Sequence, residues 1–193
     1  MIEIFGMKFG KHGSLYVPAD DAFSAAVDRG RVYAVVSQVG ITSQAGLSLT
    51  TPGLTLPNPA GSKIKAKLWY AGAIYTVAPA TAGAVWLAHG KGPNLADVTG
   101  TATTAHRNLK LGGPKPGIVP LLAATLPEIP VAIDLLGAML TGAITTVPGM
   151  APMERWYNGA VLVMPGHNVS IQTGVASGAS GLFSAYIWEE EDE

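Results

Sequence analysis

The chain reads as an all-β sandwich or barrel, and three features of its 193 residues point there. Runs rich in Val, Ile, Leu and aromatic residues recur at about 8–12 residues, the rhythm of a many-stranded sandwich or barrel. Turn formers separate them, since 24 glycines and 14 prolines make up about a fifth of the chain. Only one short stretch, near the start, carries the helical period.

That stretch comes first. Pro18-Ala19-Asp20-Asp21 precedes Ala22-Phe23-Ser24-Ala25-Ala26-Val27, and Asp20 or Asp21 can cap the first turn. Phe23, Ala26 and Val27 fall at i, i+3 and i+4, one face of a short helix. Residues 1–30 therefore form an arm with a short helix. Its apolar residues Ile2, Ile4, Phe5, Met7 and Phe9 suit contact with a neighbour, or a first strand of the sandwich.

Residues 31–188 follow β grammar. Val32-Tyr33-Ala34-Val35-Val36 is β-branched and aromatic. Leu47, Leu49, Leu54 and Leu56 alternate with polar residues around the turn Thr51-Pro52-Gly53. A second turn, Pro57-Asn58-Pro59-Ala60-Gly61-Ser62, leads into Ile64, Ala66, Leu68 and Tyr70, alternating with Lys63, Lys65, Lys67 and Trp69. The three lysines fall on one strand face and read as a solvated face. Ile74-Tyr75-Thr76-Val77 and Ala84-Val85-Trp86-Leu87 follow. Residues 112–117 are a loop, and Val131 onward favours a strand. Asn158-Gly159, between Trp156-Tyr157 and Ala160-Val161, is a tight-turn signal. Val161 and Val163 alternate with Leu162 and Met164, so that strand is apolar on both faces and expected to be central. Pro165-Gly166 turns, Val169, Ile171 and Thr173 alternate with polar residues, and residues 182–188 form the last strand.

Composition excludes several classes. Hydrophobic residues make up 48% and the net charge is −1, which rules out a disordered chain. There is no cysteine, so neither a disulfide framework nor a thiolate zinc site exists. The most apolar stretch, residues 117–140, is broken by Pro120, Pro127, Glu128, Pro130 and Asp134, so no transmembrane helix and no membrane contact is expected. The first ten residues carry Glu3 and Lys8 and no apolar core segment, so no secretory signal is expected there. Charged residues are only 13%, about half the usual share. Uncharged contiguous surface usually marks contact with another chain; the plainer alternative is a small-residue β surface that is merely neutral. The five residues 189–193 are all acidic. They read as a solvated tail that also keeps the last strand from pairing with other chains. Without them the body carries 12 basic and 8 acidic residues, +4 in all, too few to suggest nucleic acid as a partner.

Chemistry is scarce. His12, His89, His106 and His167 show no ligand spacing, and each reads as structural. Gly174-Val175-Ala176-Ser177-Gly178 is not a nucleophile elbow. His89-Gly90-Lys91-Gly92-Pro93 fits neither phosphate-binding pattern and reads as a turn. Asn168-Val169-Ser170 is a glycosylation sequon in sequence only. Trp69, Trp86, Trp156 and Trp188 lie in or beside strands, where core packing is the usual role. No catalytic residue, cofactor or metal is expected.

A resemblance adds to this. Gly53-Leu54-Thr55-Leu56-Pro57-Asn58-Pro59-Ala60-Gly61-Ser62-Lys63, then Val161-Leu162-Val163-Met164-Pro165-Gly166, then Phe183-Ser184-Ala185-Tyr186-Ile187-Trp188-Glu189-Glu190, resemble small structural proteins of tailed-phage virions in order and separation. The likeness covers roughly residues 47–190 and leaves out the arm, and residues 63–67 are more basic than its pattern. It implies a jelly-roll β-sandwich that decorates or cements the head. The expected partners are the chain itself, as a homotrimer, and the major capsid protein. The expected location is the head surface of a virion, after synthesis in the host cytoplasm. By analogy with trimeric jelly rolls, Phe183, Tyr186 and Trp188 would line the trimer axis, while Ile2, Ile4, Phe5 and Phe9 would contact the capsid or a neighbour. The likeness carries no catalytic residue. Two alternatives remain. One is a receptor- or carbohydrate-binding module of a tail fibre or tail tip, which requires exposed Trp or Tyr. The other is a cupin-like enzyme, which requires clustered histidines.

Overall fold

The computed structural model describes residues 2–4, 7–9, 19–51, 53–77, 81–91, 98–139, 153–177 and 180–193. Side chains are described for all of these except residues 2–4, 7–9, 19–21, 91, 139 and 180. Two antiparallel sheets pack face to face as an all-β sandwich. Strands β1 (Ile2–Ile4) and β2 (Met7–Phe9) pair only with each other, Ile2 opposite Phe9, and join neither large sheet. The arm is thus a small hairpin and not a first strand of the sandwich.

Helix α1 (Ala19–Asp28) matches the apolar period at Phe23, Ala26 and Val27. It ends where Gly30 takes φ +71. The Gly30 N–H donates to the Val27 carbonyl and the Arg31 N–H to the Ala26 carbonyl. This paired closure needs a left-handed residue, which glycine supplies without a Cβ clash.

The strands that follow are β3 (Val32–Val36), β4 (Ile41–Thr42), β5 (Leu54–Asn58), β6 (Ile64–Tyr75) and β7 (Gly83–Lys91). Next come β8 (Thr99–Ala102), β9 (Arg107–Asn108), β10 (Leu121–Thr125) and β11 (Val131–Met139). The last three are β12 (Met153–Val163), β13 (His167–Thr173) and β14 (Ser180–Asp192). One sheet runs β11-β7-β13-β5-β10-β8. The other runs β12-β6-β14-β3-β9, with β4 also on β14. Eight strands pair in nested fashion: β3 with β14, β5 with β13, β6 with β12 and β7 with β11. Residues 98–125 supply β8 and β10 to one sheet and β9 to the other.

The core lies between the sheets. Leu54, Leu56, Val85, Leu87, Val169 and Ile171 face Val35, Leu68, Leu182, Tyr186 and Trp188, among others. Tyr186 is fully buried, and its hydroxyl crosses the sandwich to donate to the Leu54 carbonyl at 3.1 Å. The Leu54 N–H donates to Ser184 Oγ at 2.9 Å. Burial in this apolar interior, with a smaller contribution from Tyr157, holds the Tyr186 phenol well above its ordinary pKa.

Four expectations are corrected here. The signal Asn158-Gly159 does not reverse the chain. Both residues have positive φ, 51° and 78°, as the turn type requires. Residues 157–160 instead form an excursion within β12, between Trp156 opposite Tyr70 and Val161 opposite Leu68. Strand β12 is also an edge strand and not a central one, with Leu162 exposed. His89, Gly90 and Lys91 are not a turn but the end of β7. The acidic run is not a tail after the last strand, because β14 continues to Asp192 opposite β6, with Glu191 against Lys65 and Glu189 against Lys67. Oppositely charged pairs across neighbouring strands stabilise that register.

Candidate functional site

The outer face of the β12-β6-β14-β3 sheet divides into an ionic half and an apolar half, and strand periodicity creates both. Along β14 the even residues Leu182, Ser184, Tyr186, Trp188 and Glu190 are buried toward the interior. The odd residues Phe183, Ala185, Ile187, Glu189 and Glu191 face outward. Glu190, only 9% exposed, continues the inward row. Its Oε1 accepts from Trp188 Nε1 and the Ile118 N–H, both at 3.0 Å, and its Oε2 from the Gly117 N–H at 2.8 Å.

In the ionic half, Arg31 donates to Glu189 at 2.8 Å, and Lys67 and Lys65 meet Glu191 at 2.6 and 3.3 Å. The lysine face is therefore ion-paired rather than solvated. Lys63 stands outside it, before the strand, at φ 56. Burial pushes the Glu191 carboxyl up, but hydrogen bonds and charge from Lys67 and Lys65 outweigh it and hold the group below the ordinary 4.5. A depressed carboxyl pKa adds stability above the unfolded value, and that stability is lost as pH falls through the folded value. Wild-type stability is thus expected to fall as pH drops below about 4.5, and Glu191→Gln to flatten that fall. Urea melts at stepped pH check this; equal slopes in the two proteins would remove Glu191 from the account.

A β-bulge shapes the border between the halves. Ile187 pairs with Tyr70 but Trp188 with Leu68, which leaves Trp69 as an extra residue. Trp69 and Tyr70 consequently both point outward. Trp69 meets Phe23 of α1 edge-on, ring centroids 4.9 Å apart. Tyr70 lies 5.1 Å from Trp156 and donates to Glu154 at 2.7 Å. It lies over Gly72, where a Cβ would collide with the Tyr70 hydroxyl. Burial, reinforced by the Glu154 carboxylate that it bonds, raises the Tyr70 phenol to about 12.

The apolar half carries no charge on β6, β14 or β3, although Glu154 of β12 stands opposite Gly72 and Arg107 of β9 opposite Ala34. Tyr70, Gly72 and Ile74 of β6 stand beside Ile187, Ala185 and Phe183 of β14, with Ala34 and Val36 of β3 beyond. Gly72 and Ala185 are small, so a shallow groove of about 110 Å³ opens between Tyr70, Ile74, Phe183 and Val36. A second apolar surface lies on edge strand β11 and its approach, where Ile129, Val131, Ile133 and Leu135 are 48–67% exposed.

No protein-family model, curated protein or solved structure matches this chain.

Of the residues expected at a trimer axis, only Phe183 faces outward. Tyr186 and Trp188 are fully buried in the core, because they share the inward parity of β14. Strand β14 is also flanked on both sides by β6 and β3, so it has no free edge. Ile2, Ile4 and Phe9 lie in the β1–β2 hairpin, and Phe5 and His12 lie outside the described residues. The sequon residue Asn168 is fully buried. Among the described residues no group of three or more His, Asp or Glu could hold a metal ion, and no helix is long and apolar enough to cross a membrane.

Other groupings escaped the sequence. His89 and His167 are 78 residues apart, yet their rings stack at 5.2 Å and share a 3.0 Å Nε2···Nδ1 hydrogen bond. Antiparallel pairing of β7 and β13 brings them together. Trp156 is 53% exposed rather than core. A cleft of about 330 Å³ separates α1 from the ionic half, with Arg29, Arg31, Trp69, Asn158 and Glu191 among its walls. The signal for the ionic half was present in the alternation of Lys65 and Lys67 against Glu189 and Glu191.

Proposed function

We propose that this chain is a non-enzymatic structural protein of a tailed-phage virion, a decoration or cement protein that binds the major capsid shell as a homotrimer and stabilises the head. The observation that carries the reading is a pair of distinct apolar surfaces: the uncharged groove around Phe183 and the exposed strip on β11. A threefold ring is a heterologous assembly, in which one surface of each copy meets a different surface of the next. A shallow apolar groove and an exposed apolar edge strand suit that arrangement, and contiguous apolar surface usually marks contact with another chain. We also read the sandwich as a jelly roll. The nested pairings β3:β14, β5:β13, β6:β12 and β7:β11 are those of one long hairpin rolled into two facing sheets. The likeness of the turn and last-strand motifs to virion proteins supports the phage setting.

The test is assembly and particle binding. Sedimentation velocity is expected to give a trimer, and Phe183→Asp a folded monomer that still melts cooperatively, because Phe183 lies outside the core cluster; its melting temperature falls only by what assembly contributed. Purified heads are expected to carry many copies of the wild type and few of the variant. A wild-type monomer that does not cosediment with heads would sink the reading.

A second reading is a carbohydrate-binding module of a tail fibre or tail tip. The half-exposed Trp156, with Tyr70 beside it, favours it. A response on a glycan array and a location on the tail are its expected results.

A further inference from the structure

Leu111 is 89% exposed, more than any other large apolar residue among those described. It stands at the tip of a braced loop that follows β9. The Gly113 N–H donates to the Lys110 carbonyl at 2.8 Å, and Gly112 takes φ +86. That is the signature of a type II turn with Leu111 and Gly112 at its two central positions. Asn108, 8% exposed, fastens the base. Its Nδ2 donates to the Gly30 carbonyl at 2.6 Å and the Pro114 carbonyl at 3.0 Å, and its Oδ1 accepts the Lys110 N–H at 2.9 Å. Lys110 Nζ donates to the Asp28 carbonyl at 2.7 Å. None of these bonds uses the Leu111 side chain. A lone exposed leucine is ordinary on a protein surface. One held out on a fixed turn loses little freedom on docking, which suits it as an interface anchor.

The same chain carries a seat for it. The groove of about 110 Å³ between Val36, Tyr70, Ile74 and Phe183 has aromatic and branched aliphatic walls, and its lining is uncharged. It has room for one branched aliphatic side chain. The charges around the two surfaces are opposed. Lys110 and Lys115 flank Leu111 and outnumber Asp28 beside them. Glu154 stands at one rim of the groove, bonded to Tyr70. Arg107 stands toward the other rim, opposite Ala34. A loop that brings two lysines suits the Glu154 rim and not the Arg107 rim, so charge fixes the direction in which it seats.

One chain cannot fill its own groove. Asn108 ties the loop to Gly30, just before β3, whereas Val36 of the groove ends that strand. The six residues between them span about 20 Å of extended backbone, and a four-residue turn does not bridge that gap.

We propose that Leu111 of one copy seats in the Phe183 groove of a second copy, with Lys115 against Glu154. Knob and groove are different surfaces, so the contact is heterologous and repeats head to tail until the rotation closes a ring. The assignment rests on the homotrimer reading above and deepens it by naming what enters the groove.

Two measurements on the full chain test it. In sedimentation velocity, Leu111→Asp is expected to turn the wild-type trimer into a monomer that still melts cooperatively, since this side chain braces nothing in the fold. Self-association is expected to weaken about thirtyfold or more, the effect of losing one interface anchor. The second measurement uses the absence of cysteine from the chain. A disulfide forms only where two Cα atoms come within about 7 Å. Oxidised protein carrying both Leu111→Cys and Ile74→Cys is therefore expected to run as a covalent trimer on a non-reducing gel, while each single variant stops at dimer. Covalent chains longer than three keep the knob and remove the threefold closure. A trimer unchanged by Leu111→Asp, with no cross-linking of the double variant beyond the single ones, overturns the knob while the homotrimer stands. A monomeric wild type overturns both.

Discussion

Glu190→Ala lowers the unfolding free energy by about 3–4 kcal/mol, the sum expected when a shared acceptor is taken from three donors, one of which can turn to water. Trp188 Nε1 and the Ile118 N–H are fully enclosed, and both lose their partner. The Gly117 N–H belongs to an exposed residue and can be hydrated, so its loss weighs less. In a chain of this length the melting temperature falls by about 10 °C. Glu190→Gln is the sharper probe. Its amide keeps one oxygen for two of the donors but turns an NH₂ toward the third, so it loses about half as much. Urea melts followed by tryptophan fluorescence measure both variants. A loss under about 1 kcal/mol for the alanine variant would mean that water replaces the carboxyl group freely.

Glu190 also shows where sequence reading stops. A five-residue acidic run has the composition of a solvated tail, and composition knows nothing of register. Once β14 is extended past Trp188, alternation alone sends Glu190 inward and Glu189 and Glu191 outward, where Arg31, Lys65 and Lys67 meet them. The same parity removed Tyr186 and Trp188 from the surface and left Phe183 on it. Asn158-Gly159 failed for another reason. The dipeptide took the backbone angles it favours, but the pairing of β6 on both sides of it held the chain in line. Local chemistry fixes φ and ψ, while long-range pairing decides whether the strand turns back.

What was legible was local. The short helix, the β rhythm, the Pro165-Gly166 turn and the strand from Val131 onward all follow from residues within a few positions of one another. The nested pairing was not legible, because β3 and β14 are separated by most of the chain and no short-range signal links them. The candidate site shares this limit. Arg31, Trp69 and Glu191 come from three distant segments, and only the β6–β14–β3 register brings them to one cleft.

The turn at residues 57–62 supplies the second large effect. Asn58→Asp destabilises the protein at pH 7 by about 3–5 kcal/mol, the range for a buried charge without a partner. Asn58 is 1% exposed. Its Nδ2 donates to the Ile64 carbonyl at 2.6 Å and the Val163 carbonyl at 2.8 Å, and its Oδ1 accepts from Ser62 Oγ at 2.6 Å. Its own carbonyl accepts the Gly166 N–H at 2.8 Å. The side chain thus ties the end of β5 to the start of β6 and the end of β12, and the backbone carbonyl adds the turn before β13. Aspartate is nearly isosteric but turns an acceptor oxygen toward two carbonyl oxygens. The new carboxyl escapes only by taking a proton, so its folded pKa rises above the unfolded value. Stability is then full below the unfolded value of about 3.9 and is lost as pH rises. Asn58→Ala removes the donors without adding charge and loses about 2 kcal/mol, independent of pH. Melts of both variants at pH 4 and pH 7 separate the two effects. A deficit for Asn58→Asp that is the same at both pH values would show that the lost donors, and not the buried charge, dominate.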